Sequence, residues 1–305
     1  FEIGLNFSFS GESEITDPII EKNGLGPTTP EALKFRVSSE FPESCQTILL
    51  EGVSRLAGYQ DIAYAAVYLD RLSGILGIEN SVGGDGTVTA EAGRQLALRM
   101  SYEDVIRVAQ LKSAGDRLDR IREEVGAKDG DPIVVVDYLK PGIDELCSVL
   151  PAGLGRSLIS LAERQGWRDR FNCGLYLKST TVTGYLRLRL LAGLRRWRRG
   201  TFRYSEEQIS IEAWLEDVKG TLSLSRSLAT ETVECARLIK GYGETHRRGT
   251  ANFKLIREQV IAPALSGAIS TDIATDAVAN ARAAALSDPD GTRLDDVLAE
   301  ISKVT

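Results

Sequence analysis

Two groups of basic residues are the side chains in this sequence best suited to binding a ligand or a partner. The first group ends an apolar stretch with four arginines, and the second combines basic residues with a tyrosine and the only histidine. The groups are Arg195, Arg196, Arg198 and Arg199, and Lys240, Tyr242, His246, Arg247 and Arg248. Because guanidinium groups pair with carboxylates and phosphates, each group is a candidate anion site or partner interface. The competing interpretation of the second group is a tight interhelical turn followed by a solvated basic first turn.

The remaining reactive residues do not form a catalytic or metal-binding pattern. His246 would need a nucleophile to act as a general base, and spacing links no serine or cysteine to it. The four cysteines stand far apart without a CxxC pair, whereas zinc and iron–sulfur sites need ligands at short spacing. They are Cys45, Cys147, Cys173 and Cys235. We therefore predict reduced thiols, assign no catalytic or metal-ligating residue, and leave the cofactor-binding residues unknown.

Two glycine-containing stretches could place backbone amides near an anion. The first contains Gly83, Gly84 and Gly86 but lacks the spacing of a phosphate-binding loop, so it predicts an ordinary loop. The second, from Leu150 to Arg156, begins a helix with glycines and an arginine in its opening turn. It indicates either an anion site or, as the commoner explanation, a helix start that packs closely against a neighbour.

The first basic group ends a stretch, Thr183 to Tyr204, in which apolar residues recur with helical spacing. One stripe of this helix would contain Leu186, Leu190, Leu194 and Trp197, with the arginines on the opposite half. Leu188 and Leu191 would make its first turns apolar on nearly all sides, which is typical of a helix surrounded by other helices. We therefore predict the central helix of a bundle, with the stripe facing the core.

Charge is distributed unevenly around this helix. Nine of the 37 basic residues and no acidic residue lie between Asp169 and Glu206. The remaining 28 basic residues face 43 acidic ones, a net charge of −15. Acidic residues return immediately afterwards, on a helix whose predicted capping box is Ser205 and Gln208. We expect this helix to neutralise the arginines with Glu206, Glu207 and Glu212, or a docked neighbour to do so.

Helical spacing continues along most of the chain and predicts a mainly α fold, a multi-helix bundle. One long helix, straight or bent at Gly115, is expected from Ser101 to Val125. Alternating or β-branched runs predict a few short β-strands near residues 1–9, 133–139 and 175–182. The predicted organisation has three parts. They are an N-terminal strand and linker (residues 1–39), a helical domain (40–265) and a C-terminal helical extension (266–305).

Whole-chain composition excludes several classes of protein. With 305 residues, 43% hydrophobic and 26% charged residues and a net charge of −6, the chain can build a packed core. No apolar run reaches the roughly 18 residues that span a bilayer, so we predict a cytoplasmic protein without a membrane partner. Acidic residues follow the arginines at once and no base-stacking pattern accompanies them, so nucleic acid is not an expected partner.

Several longer phrases resemble the helical C-terminal region of the bacterial indolepyruvate:ferredoxin oxidoreductase beta subunit, in the 2-oxoacid:acceptor oxidoreductase family. In chain order they are LAGYQDIAYAAVYLDRL, SYEDVIRVAQLK, LPAGLGR, LRLLAGLRRWRR, IEAWL and LIKGYGETHRRGTANF. The resemblance covers the chain from about Glu40 to Leu265 and is an overall pattern rather than a catalytic motif. In that family an α/β domain precedes the helical region. Residues 1–39 would then continue from that domain, which would lie before Phe1.

The resemblance implies a non-catalytic accessory or assembly domain of a thiamine-diphosphate-dependent arylpyruvate (indolepyruvate):ferredoxin oxidoreductase. Thiamine diphosphate, Mg and iron–sulfur clusters would belong to the whole enzyme and none to this chain, which would hold no complete active site. Gly84-Asp85-Gly86 stands without the rest of the family's diphosphate-binding signature. The implied partners are the enzyme's other domains and its alpha subunit, with ferredoxin and coenzyme A serving the whole complex. The alternative is a helical module that binds anions or coenzyme A phosphates through the two basic groups.

Overall fold

The protein is mainly helical, as predicted. A computed structural model describes residues 29–128, 131–167, 174–241, 243–288 and 290–304, and the side chains as far as residue 301. The helices are α1 (Pro30–Glu40), α2 (Glu43–Tyr59), α3 (Ile62–Ser81), α4 (Thr87–Met100), α5 (Val105–Lys112), α6 (Arg117–Glu124), α7 (Ile143–Ser148), α8 (Ala152–Arg164), α9 (Val182–Gly193), α10 (Phe202–Leu224), α11 (Arg226–Glu234), α12 (Gly243–Ile256), α13 (Ala262–Leu265), α14 (Thr271–Ser287) and α15 (Thr292–Val304). None of these helices is long and apolar enough to cross a membrane.

Two of the three predicted strands fall within the described residues, and both exist. β1 (Val136–Leu139) and β2 (Leu175–Lys178) pair antiparallel, with Tyr138 opposite Tyr176. The second strand is shorter than predicted because Thr181 caps α9, accepting a hydrogen bond from the Gly184 amide at 3.2 Å. The strand predicted at residues 1–9 lies outside the described residues.

Local capping signals set the first helices. Thr29 accepts a hydrogen bond from the Ala32 amide at 3.1 Å, and Pro30 occupies the first helical position, as the sequence predicts. The glycine-rich loop before α4 closes on a fully buried carboxylate, Glu79. Its two oxygens accept hydrogen bonds from the Gly86, Val88 and Thr89 amides at 2.8–3.1 Å and from the Thr89 hydroxyl at 2.6 Å. These amides are therefore occupied, which fits an ordinary loop.

The main hydrophobic core lies between α1–α4 and α10–α15, which we call the core bundle. Its largest fully buried side chain, Trp214, donates its indole hydrogen to the Thr232 carbonyl at 3.1 Å. Gly52 and Gly93 let helices α2 and α4 approach Tyr68, since a Cβ at Gly52 would lie 2.4 Å from the tyrosine oxygen. Residues from α1, α14 and α15 belong to this same core.

Residues 105–200 form a second region, which we call the peripheral segment, between α4 and α10. Its own apolar cluster is small and centres on three buried residues, Ala109, Leu177 and Leu188. Charged side chains hold it together as well: Asp137 of β1 pairs with Lys112 at 2.5 Å and Arg117 at 2.8 Å. Burial opposes ionisation of Asp137, but these two cations bring its pKa below the ordinary value.

The continuous helix predicted from residue 101 to residue 125 is wrong, because the structure has two short helices, α5 and α6, with the break at the bend predicted at Gly115. Asp104 caps α5, accepting the Arg107 amide at 2.5 Å, so the helix begins later than predicted. At its end, the Ser113 hydroxyl bonds back to the Ala109 carbonyl at 2.7 Å, and Gly115 lies in the break.

The predicted burial of the apolar stripe on α9 is also wrong. Leu186, Leu190 and Trp197 are 58%, 75% and 71% exposed, and Leu188, on the opposite side, is 1% exposed. Leu194 is half-buried. Gly184 explains this orientation, because a Cβ there would lie 2.0 Å from the Lys178 carbonyl oxygen. Only a glycine permits this backbone contact, so it fixes which face of α9 points inward.

The predicted helix over residues 183–204 is interrupted as well. After α9 the chain forms a 3₁₀ turn, Leu194–Gly200, and Thr201 then starts α10. The Thr201 hydroxyl accepts the Tyr204 amide at 3.3 Å, so the predicted capping box at Ser205 and Gln208 is wrong. This helix is therefore not the centre of a bundle. It lies at the edge of the molecule, with the arginine-rich turn at its end.

Candidate functional site

Arg198 is the most deeply buried residue of the first basic group, with no exposed surface. Its Nε and Nη2 donate to the two Asp104 oxygens at 2.8 and 3.2 Å, and Nη1 donates to the Tyr59 carbonyl at 2.8 Å and Gln60 Oε1 at 3.0 Å. The guanidinium also lies 4.1 Å from the Tyr59 ring centre. Burial by itself lowers the Arg198 pKa, but attraction to Tyr59 and Asp104 raises it overall. Arg198 thus joins both ends of the peripheral segment to helix α2.

The other arginines of this turn divide into paired and free. Arg195 donates from Nε to the Gln60 carbonyl at 2.7 Å and from Nη2 to the Ala57 carbonyl at 3.1 Å, at the C-terminal end of α2. Arg199 pairs with Asp61 at 2.6 Å on the surface. Arg196 is exposed and has no polar partner in the described part of the chain.

The acidic residues that were expected to neutralise the arginine-rich turn form ion pairs with other residues. Glu206 bonds to Arg156 at 2.8 Å, Glu212 to Arg71 at 2.6 Å, and Glu207 to Arg203 and His246. Two of the four arginines, Arg198 and Arg199, are therefore neutralised within the molecule, but by carboxylates other than the expected ones. The actual partners, Asp104 and Asp61, lie 94 and 138 residues away in sequence.

The second basic group does not converge on one site. Arg248 pairs with Asp290, and Arg247 lies between Glu244 at 3.2 Å and Asp144 at 3.7 Å. Lys240 is exposed without a polar partner among the residues described. Tyr242 lies outside the described residues. The contacts fit a turn followed by a largely solvated first helical turn better than a ligand pocket.

His246 belongs instead to a buried cluster that sequence reasoning missed. Its Nε2 lies 3.0 Å from Oε1 of Glu207, which is 4% exposed and also 2.7 Å from Arg203 Nη2. Both contacts are close, but neither is a hydrogen bond. Burial favours the neutral acid, but His246, Arg203 and the nearby Arg99 bring the Glu207 pKa below its ordinary value.

Arg99 completes this cluster from helix α4. It is almost fully buried, lies 5.5 Å from the Trp214 ring centre and donates one hydrogen bond, to Ser210 Oγ at 2.7 Å. Burial lowers its pKa to about 10. The spacing of Arg203 and Glu207, i and i+4 on one helix, was the only sequence signal of this cluster.

Exposed apolar side chains are concentrated in the peripheral segment. Of the 27 large apolar side chains that are exposed in the described structure, 18 lie between Leu111 and Trp197. Four of them, Val182, Leu186, Leu190 and Trp197, follow one line along α9 and the 3₁₀ turn, which we call the α9 stripe. Isolated surface apolar residues are common, but contiguous ones mark contact surfaces.

Comparison with known families places the chain in one of them. A family of unknown function, DUF6537, matches residues 45–259. The chain belongs to this family. No curated protein and no solved structure matches it. The DUF6537 region runs from α2 to the π-helical turn Arg257–Ile261, and it includes both basic groups, the buried Glu207 cluster and the whole peripheral segment.

In this DUF6537 member, the start of α8 is built for close packing at Gly155. A Cβ there would lie 2.4 Å from Phe202 Cβ and 3.0 Å from the Cys147 carbonyl oxygen. The outer face of α8 lines an open depression of about 490 Å³, with Gly153, Arg156, Ser157, Ser160, Leu161 and Arg164 around it. All of these residues come from one helix, so the depression is a shallow surface feature.

Neither a metal site nor a reactive thiol emerges among the described residues. No group of three histidine, cysteine or acidic side chains could hold a metal ion there. Cys45, Cys147 and Cys235 are buried, and Cys173 lies outside the described residues. Burial raises the pKa of the Cys235 thiol to about 12, so it stays protonated at neutral pH.

Proposed function

We propose that this DUF6537 chain is a non-catalytic assembly domain of an arylpyruvate (indolepyruvate):ferredoxin oxidoreductase beta subunit. Two independent points support the proposal. The first is the resemblance of the chain, from about Glu40 to Leu265, to the helical region of that subunit. The second, which carries the most weight, is the concentration of exposed apolar side chains in the peripheral segment.

The exposed apolar side chains need a physical explanation, because removing them from water would lower the free energy of the protein. Complete burial of one leucine-sized side chain is worth about 1.5–3 kcal/mol. The core bundle buries its large apolar residues, whereas the peripheral segment of the same chain leaves most of its own in water. A partner that covers this surface would gain several such contributions, which favours a role in assembly.

The arrangement of the arginines argues against the alternative function, binding of anions or coenzyme A phosphates. Arg195, Arg198 and Arg199 are already paired with backbone carbonyls or aspartates. A ligand phosphate would have to displace these partners, and Arg198 has no exposed surface to offer. We therefore assign the basic residues mainly a structural role.

The remaining properties of the proposal follow from the resemblance. Thiamine diphosphate, Mg and iron–sulfur clusters would be held elsewhere in the enzyme, and the alpha subunit would be the direct partner. Ferredoxin and coenzyme A would act on the whole complex. Within this proposal the protein is cytoplasmic.

The proposal is tested by co-expressing the full-length beta subunit with the alpha subunit of the same organism's oxidoreductase. A second beta subunit lacks the region from Glu40 to Thr305. Light scattering reports the assembly, and ferredoxin reduction with indolepyruvate reports the activity. We expect the deletion to abolish or strongly weaken the complex. Unchanged assembly and unchanged arylpyruvate oxidation would contradict the proposal.

A further inference from the structure

We infer that the α9 stripe docks onto an acidic, apolar polypeptide surface of the alpha subunit. This inference rests on the proposed function and adds the location of the contact and the chemistry of the partner. The stripe consists of Val182, Leu186, Leu190 and Trp197, all exposed and aligned on one side.

The stripe cannot turn inward, because the opposite side of α9 is fixed. Gly184 touches the Lys178 backbone too closely for any side chain, and Leu188 packs in the small apolar cluster. The 3₁₀ turn that follows is anchored by Arg198, whose five hydrogen-bond contacts reach α2 and α5. The exposed side is therefore a fixed feature of the fold and is available to a partner.

The stripe has the dimensions of a helix-sized docking site. Twelve α-helical residues of α9 extend about 18 Å at 1.5 Å per residue. The seven residues of the 3₁₀ turn add about 14 Å at 2 Å per residue. Tryptophan is among the residues that most often carry large binding energies in interfaces, and leucines at i and i+4 have the spacing of the anchors on a docked helix.

Unpaired positive charges flank the stripe. Arg187, Arg189 and Arg196 are exposed and have no polar partner in the described ranges of the chain, whereas Arg195, Arg198, Arg199 and Arg203 are all paired within the molecule. Arg189 and Arg196 lie along one border of the stripe and Arg187 along the other, by helical geometry. A partner with carboxylates around an apolar centre complements this pattern.

Two other occupants fit less well. An anionic membrane would attract the three arginines, but the chain as a whole carries a net charge of −6 and would be repelled. A second copy could offer acidic surface from the rest of the chain. Such head-to-tail docking would leave one stripe open at the end of every assembly unless a ring closed.

The test uses the full-length beta subunit and measures its dissociation constant for the alpha subunit. The stripe variant is Leu186→Gln, Leu190→Gln, Trp197→Gln, and the charge variant is Arg187→Glu, Arg189→Glu, Arg196→Glu. The matched control replaces three exposed apolar residues of the core bundle: Phe35→Gln, Val67→Gln, Ile209→Gln. All changes are at exposed positions, so thermal unfolding is expected to stay close to that of the wild type.

We expect the stripe variant to bind the alpha subunit at least about 30-fold more weakly, as loss of anchor residues does. The charge variant is expected to bind the alpha subunit about tenfold more weakly, mainly because association is slower. Its binding is also expected to lose the salt dependence of the wild type. The control is expected to remain within about threefold of the wild type.

Three results would overturn the inference. In the first, the stripe variant binds the alpha subunit with wild-type affinity, but deletion of the whole region still abolishes assembly. This result would support the proposed function and exclude the α9 stripe as the contact. Stripe-dependent binding to phosphatidylcholine–phosphatidylserine vesicles, with alpha-subunit binding unchanged, would identify a membrane surface instead. Stripe-dependent self-association with unchanged alpha-subunit binding would identify a second copy.

Discussion

The core bundle and the peripheral segment use apolar residues in opposite ways. The core bundle packs its apolar side chains into one continuous core that reaches from Leu33 to Leu298. The peripheral segment buries fewer, among them Ile106, Ile159 and Leu188, and adds two charged anchors. These anchors are Asp137 with Lys112 and Arg117, and Asp104 with Arg198. The contrast indicates that one region supplies the stability of the fold and the other supplies a surface.

The largest effect is expected where the peripheral segment joins the core bundle. Arg198→Met would leave the buried Asp104 carboxylate without its cation, which destabilises by about 3–5 kcal/mol in comparable sites. Chemical denaturation measures this loss. The matched change Arg196→Met, two residues earlier on an exposed and unpaired arginine, is expected to stay within about 0.5 kcal/mol.

A double variant separates the charge from the packing of Arg198. Asp104→Asn removes the buried charge and keeps an oxygen that can accept the Arg107 amide. We expect Arg198→Met with Asp104→Asn to be more stable than Arg198→Met alone. Equal stability of the two would show that the ion pair does not anchor the segment.

Glu207 gives a pH-dependent prediction inside the core bundle. In the folded protein the pKa of Glu207 lies below its value of about 4.3 in the unfolded chain. The Glu207 carboxylate therefore contributes its full stabilisation at pH values above the unfolded-state pKa. This stabilisation is lost as the pH falls through the folded-state pKa. Glu207→Gln leaves Arg99 and Arg203 without their carboxylate and is expected to cost about 2–4 kcal/mol at pH 7. The difference from the wild type should shrink below about pH 4.

The exposed neighbour Glu206 provides the control for this prediction. Its ion pair with Arg156 is at the surface, so Glu206→Gln is expected to change stability little at any pH. Urea unfolding of both variants from neutral to acidic pH measures the effect. A constant difference between Glu207→Gln and the wild type at all pH values would contradict the assignment of Glu207 as a buried carboxylate.

Two leucines, two residues apart, test the orientation of α9. Leu188→Ala removes a buried side chain from a small cluster and is expected to cost about 2–3 kcal/mol. Leu190→Ala, two residues later but 75% exposed, is expected to cost less than about 0.5 kcal/mol. The reverse order of effects would mean that the stripe faces the interior.

Two glycines give the smallest expected individual effects, one in each region. Gly52→Ala in the core bundle would place a Cβ against Tyr68, whose hydroxyl is fixed by a hydrogen bond to the Gly93 carbonyl, and overpacking of this kind costs about 1–3 kcal/mol. Gly193→Ala meets nothing within 4 Å and has helical backbone angles, so it is expected to stabilise by about 0.5–1 kcal/mol. Thermal unfolding measures both variants, whose unfolding temperatures are expected to shift in opposite directions.

Sequence patterns predicted features that depend on neighbouring residues. The mainly α class, the Thr29–Pro30 helix start and the two described strands follow from local periodicity and capping. The orientation of α9 did not follow, because its first turns are apolar on nearly all sides and periodicity could not select a face. The selection came from Gly184 and a backbone contact to Lys178, which only the folded chain brings together.

The candidate site residues show the same division. The arginine-rich turn was recognisable as unusual, but its partners Asp104 and Asp61 are distant in sequence and could not be assigned. The role of Glu79 in closing the glycine-rich loop requires knowledge of its complete burial. His246 is the only histidine in the sequence, but its contact with Glu207 depends on how α10 and α12 pack.

The most direct test of the assembly role is chemical labelling of Leu190→Cys in the full-length beta subunit, free and bound to the alpha subunit. Cys45, Cys147 and Cys235 are buried, so the unmodified subunit provides a low-reactivity reference for these thiols. We expect rapid modification of the new thiol in the free subunit and strong protection in the complex. Equal labelling rates in the two states would contradict the central claim that the exposed face of α9 is a docking surface.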